Sequence, residues 1–203
     1  MSLSVTTPTD REIVLTRSFT APRQLVFDAY TKPELLTRWY GARGWNLLGC
    51  DIELCEGGRY RFESLGPHGD TMVQTGTVRQ IQAPVRLVLT ELFEDQSYPG
   101  QTLITHEFSE HSGQTTVTTT VRYATPEGRD AALRHPMARG VGESGDRLVE
   151  LLSDLLANHR KELPRTRPVR SSLSRCPRWT DPRPPTPPGP AAGSTQHPPL
   201  CPP

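Results

Sequence analysis

Residues 140–156 read GVGESGDRLVELLSDLL. Leu148, Val149, Leu152, Leu155 and Leu156 recur at helical spacing and form one apolar stripe, with Leu151 beside it. Arg147, Glu150, Asp154 and Arg160 fall mostly off that stripe. The stretch before this helix has a different period. From Leu47 to Tyr123 apolar residues alternate with polar ones, which marks half-buried strands. Leu48, Cys50, Ile52 and Leu54 alternate with Gly49, Asp51 and Glu53. Gly57-Gly58 and Gly66-Pro67-His68-Gly69 turn the chain, and Arg59-Tyr60-Arg61-Phe62 alternates basic and aromatic. Met72 to Ile81, Val85 to Phe93, Thr102 to Phe108 and Thr115 to Tyr123 continue the series. Six consecutive strands with short turns predict an antiparallel meander. Its apolar face must be covered, and the amphipathic helix that follows is the cover.

Upstream, Glu12 to Phe19 predicts one more strand, for about seven in all. Pro22 suits a first helical turn, and Leu25, Val26, Ala29 and Tyr30 follow at helical spacing. Thr31-x-x-Glu34 predicts a capping box for a second short helix carrying Leu35, Leu36 and Trp39, with Gly41 as its stop. The expected order is β-αα-β6-α. The class is α+β, with a curved antiparallel sheet round the last helix and a helical hairpin after strand one.

Composition divides the chain. Residues 1–159 carry 15 Lys and Arg against 20 Asp and Glu, a net of −5; residues 160–203 carry 8 against 2, a net of +6. Of the 21 prolines, 13 follow Leu163. We expect a folded domain over 10–160 and a disordered Pro/Arg-rich tail over 161–203, too poor in apolar residues to offset its ordering entropy. A ligand for an SH3-like domain, a basic arm for RNA or anionic lipid, and a read-through product are the other readings of that tail. No apolar run approaches a membrane span, and no secretory signal opens the chain. The acidic domain argues against nucleic acid as a partner. Cys50 and Cys55 are read as lying on opposite faces of one strand, hence as free thiols in a reducing cytoplasm.

The local motifs carry a resemblance. Ala21-Pro22, Val26-Phe27-Asp28-Ala29, Lys32-Pro33-Glu34-Leu35-Leu36 and Arg38-Trp39-Tyr40-Gly41 resemble the opening hairpin of the helix-grip fold, the START and Bet v 1-like (SRPBCC) superfamily. Glu56-Gly57-Gly58-Arg59-Tyr60-Arg61-Phe62 resembles its glycine-glycine strand, and Met137 to Leu152 its closing helix. Together they are similar to the branch named for the activator of the heat-shock protein 90 ATPase, often grouped with polyketide cyclases, over about residues 10–158. The resemblance implies a cavity between sheet and long helix.

No convergent catalytic constellation is legible. Gly140-x-Gly142-x-x-Gly145 matches a dinucleotide fingerprint, but no strand precedes it and no βαβ unit surrounds it. The three glycines suggest instead close helix–sheet approach or a late helix start. His68, His106, His111 and His135 are too scattered to hold a metal. Asp51 and Glu53 share a face with solvent. By parity His106, Tyr60, Phe62 and Tyr123 face inward, and Trp39 packs at the mouth. With Gly142 and Gly145, these are the expected cavity residues, and a leucine at 145 is expected to enter open space. The leading expectation is a non-enzymatic protein that binds a small apolar ligand, without cofactor, metal or catalytic residue. The alternatives are a chaperone accessory protein acting on a protein partner through its surface, and a cyclase or hydratase using His106 or a tyrosine as acid–base.

Overall fold

The computed structural model describes residues 2–94, 100–135 and 137–162, with side chains to residue 158. Eight strands and four helices follow in the order β1 (Ser4–Thr6), β2 (Glu12–Phe19), α1 (Arg23–Thr31), α2 (Pro33–Trp39), β3 (Asn46–Ile52), β4 (Arg59–Leu65), β5 (Thr71–Gln82), β6 (Arg86–Phe93), β7 (Thr102–His111), β8 (Gln114–Arg122), α3 (Pro126–Arg134) and α4 (Met137–Glu162). All strands join one sheet in the order β1-β2-β8-β7-β6-β5-β4-β3. Every neighbouring pair is antiparallel. The consecutive strands β3 to β8 form the expected meander, and β2 returns to pair with β8. The architecture is the helix-grip fold.

The main core lies between the inner face of the sheet and the helices. Phe19, Val26, Phe27, Leu36, Phe108 and Val117 join Leu148, Leu151 and Leu152 of α4 there. A second cluster of Ile13, Leu15, Tyr123 and Ala132 packs with Met137 and Val141 at the start of α4. Alternation along β2 is complete: Ile13, Leu15, Arg17 and Phe19 are all buried. Arg147 ties α4 to the helical hairpin. Its guanidinium donates to the carbonyls of Gly41 and Trp45 at 3.0 Å, Arg38 at 3.2 Å and Tyr40 at 3.3 Å. Trp39 joins α2 to α1, donating from Nε1 to the Ala29 carbonyl at 2.8 Å.

Several expectations need correction. The count is eight strands, because Ser4–Thr6 adds a short edge strand, and α3 is a helix the apolar pattern did not reveal. Thr31 does not cap α2. It ends α1, donating to the Phe27 carbonyl, while Lys32 stands at the N-cap without a side-chain bond. Proline at the first position of α2 already removes one of the amides that such a cap would serve. The glycines of the closing helix do not mark a late start, since α4 begins at Met137. Cys55 lies beyond β3, in the bend before Gly57-Gly58, and is disulfide-bonded; the free-thiol expectation holds for Cys50. In that bend Gly57 has φ +86°, and a Cβ on Gly58 would collide with the Glu53 carbonyl. The tail lies outside the described residues.

Candidate functional site

Between the sheet and α4 the fold leaves a cavity of about 450 Å³. Its wall is mostly apolar: Leu87 and Leu89 from β6, Ile104 from β7, Val117 and Val121 from β8, and a set of aromatic rings. Trp39, Tyr60, Phe62, His106, Tyr123 and Gly145 all stand on that wall. Gly142 does not. A Cβ placed there meets nothing within 4 Å, and its carbonyl accepts from Arg17 Nη1 at 2.8 Å. Gly145 is a place of close approach, but not to open space. A Cβ there would stand 2.6 Å from Arg17 Nη1, so a leucine would first displace the arginine.

The rings pack in two groups, joined where Trp39 meets Tyr40 with centroids 5.8 Å apart. Tyr30 meets Trp39, His106 and Phe108 with centroids 4.9, 5.2 and 5.3 Å apart. Phe62 meets Tyr60 at 4.9 Å and Tyr40 at 5.4 Å. Gly76 makes room for the second group. A Cβ at that position would collide with the Thr90 carbonyl and with the Tyr60 ring. The Tyr60 hydroxyl donates to that same carbonyl at 2.9 Å.

Three polar features interrupt the apolar wall. His106 shares a hydrogen bond between Nδ1 and Thr119 Oγ1 at 2.9 Å. Burial pushes its pKa down to about 4, so the ring is neutral at pH 7. Arg17, on the inner face of β2, donates from Nη2 to Asp146 Oδ1 at 2.5 Å. The third is Glu91 on β6. Its Oε2 accepts from Gln74 Nε2 at 3.4 Å, and Gln74 Oε1 in turn accepts from the Tyr40 hydroxyl at 2.9 Å. Desolvation raises the Glu91 carboxyl to about 7. Burial also holds the phenols of Tyr30, Tyr40 and Tyr60 well above the ordinary range, and the Glu91 charge adds to this at Tyr40 and Tyr60.

Glu91, Gln74 and Arg17 are the site residues that reading the sequence missed. Parity contained the signal. Glu91 shares its strand face with Leu87 and Leu89, and Arg17 with Ile13 and Leu15. Chemically, the wall offers a large apolar surface, a neutral imidazole, and a carboxyl that exchanges a proton near neutrality. Among the described residues no group of three or more His, Cys, Asp and Glu is placed to hold a metal ion. No described helix is long and apolar enough to cross a membrane.

The family model for the Activator of Hsp90 ATPase homolog 1-like protein matches residues 20–153. The chain belongs to this family. A crystal structure of a Rhodobacter sphaeroides protein is 32% identical, covers 76% of this chain and 99% of its own, and superposes with a TM-score of 0.72. A Nitrosomonas europaea protein shares the fold at 23% identity, with 74% of this chain and 99% of its own covered and a TM-score of 0.67. The solution structure of an Arthrobacter aurescens protein does so at 21% identity, 76% and 93% coverage, and 0.68. No curated protein matches the sequence. The family match spans the helical hairpin, the meander and most of α4, which together with β2 enclose the cavity.

Proposed function

We propose that this protein binds a small, largely apolar ligand in the cavity between its sheet and α4. The observation that carries this reading is the cavity of about 450 Å³, within the size range of small-molecule sites, with an apolar wall and a few inward polar groups. Leucine and aromatic side chains supply the burial energy, while His106 with Thr119 and Glu91 with Gln74 supply orientation. Trp39, Tyr60, Phe62 and Tyr123 contact the ligand in this reading, and Gly145 contributes through Arg17. Glu91 acts here as a binding group.

The test is a thermal-shift and chemical-unfolding screen of fatty acids, flavonoids and aromatic polyketides. A ligand at a hundred times its Kd raises stability by about 2.7 kcal/mol. Ile104→Phe places a ring in the void, so the filled variant is expected to keep its fold and lose the increment. Ligands that stabilise both proteins equally bind elsewhere. If none stabilises the wild type, the cavity is not a binding site and the reading fails.

A further inference from the structure

We infer that the ligand class is an amphiphilic cation: a protonated amine whose charged end sits at Glu91 between Tyr40, Tyr60 and Phe62, with its apolar body running along the cavity. This rests on the cavity-binding reading and deepens it.

The first observation is the isolation of Glu91. It lines the cavity and forms no ion pair among the described residues. A carboxylate has about four acceptor positions. The Glu91 side chain fills one of them, with a long 3.4 Å bond from Gln74. An isolated carboxylate in an apolar wall is costly, and a partner charge offsets that cost.

The second observation is that the nearby hydroxyls do not supply the missing donors. Tyr40 donates its proton to Gln74, and Tyr60 donates to the Thr90 carbonyl. Each phenol has a single O–H. Both rings are therefore held with their hydroxyls committed. The ring faces carry partial negative charge, which favours a cation over a neutral group. Phe62 packs against both rings and has no polar atom to offer.

The third observation is charge separation along the sheet. Leu87 of β6 pairs with His106, and Glu91 pairs with Thr102. Four residues of strand thus separate the two rows, about 14 Å at about 3.4 Å per residue. Arg17 lies in the Val117–Phe108 row, six residues along β7 from Thr102, or about 20 Å. It is engaged by Asp146 and the Gly142 carbonyl. The two arginines on the wall are thus paired elsewhere, Arg17 with Asp146 and Arg139 with Glu143 at 3.7 Å, and neither is paired with Glu91. The apolar wall between the two ends, with Leu89 and Ile104, suits a hydrocarbon or aromatic body.

Titration calorimetry at pH 8 on the full chain tests this with matched probes, 4-phenylbutylamine and 4-phenylbutanol. In the wild type the amine is expected to bind at least tenfold more tightly than the alcohol. In Glu91→Gln that ratio is expected to fall to within threefold, while Glu107→Gln, on the outer face, retains it. Equal affinity for amine and alcohol, or a ratio that survives in Glu91→Gln, overturns the inference and leaves the cavity reading standing. If neither probe binds but the apolar screen succeeds, the inference is again overturned alone. If nothing binds, both fall together.

Discussion

At the residue scale, two inward side chains have shifts of opposite consequence. The Glu91 carboxyl has its pKa at about 7 in the fold, against an ordinary 4.5. Between those values the fold holds a proton that the unfolded chain releases, so stability falls as pH rises. His106 has its pKa at about 4 in the fold, against 6.5. Between those values the unfolded chain takes a proton that the fold refuses, so stability rises with pH. In the wild type the two trends oppose each other from pH 4.5 to 6.5. Each variant uncovers the other's slope. Urea unfolding of Glu91→Gln is expected to gain about 1–3 kcal/mol from pH 4 to 6.5, with cavity water screening part of the full effect. His106→Gln is expected to lose a similar amount from pH 4.5 to 7. Parallel pH profiles for the two variants would contradict the burial of both groups. His106, Tyr60 and Phe62 were legible because inward parity agreed with an expected role. Glu91 and Arg17 followed the same parity. A charge on a strand is normally placed in solvent, and that habit hid them.

At the element scale, α4 bears on both packing and function. Leu152 is 2% exposed on its inner stripe, and Asp154 is exposed. Leu152→Ala is expected to cost about 2–5 kcal/mol, as a buried leucine leaving a void. Asp154→Ala should stay within about 0.5 kcal/mol. Similar small costs at both positions, measured by urea unfolding, would mean that α4 does not grip the sheet. The stripe made this helix legible because its apolar spacing is long and regular, but its centre is shifted: Leu151 is buried, whereas Val149, expected on the stripe, is 37% exposed. Two elements lacked such a signal. β1 has three residues, all exposed, so no alternation can mark it. In α3 Ala132 is the one buried residue of nine, so no apolar stripe marks the helix. Its start was nevertheless written in local chemistry: Thr125 accepts from the Gly128 amide, and Pro126 occupies the first turn.

At the scale of the whole molecule, the buried apolar residues among those described lie between Ile13 and Leu152. A chain ending at Leu163 therefore retains all of them. Its melting temperature, measured in reducing buffer, is expected to stay within about 2 °C of the full chain's. A loss of 8 °C or more would place part of the domain's packing in residues 164–203.

Period and parity are local properties of a chain, which is why the meander, the hairpin, the closing helix and the inward face of most strands could be read directly; in β3 a bulge between Leu47 and Gly49 instead buries Leu47 and leaves Leu48 exposed, against the expected phase. The family resemblance stood on the same local motifs. Pairing between distant residues is not local. Whether Arg17 finds Asp146, 129 positions away, depends on how the sheet curves and where α4 crosses it. The same curvature leaves Glu91 in an apolar wall with one long hydrogen bond, and opens a cavity behind it. Desolvation sums over all surrounding atoms, so no window of sequence contains it.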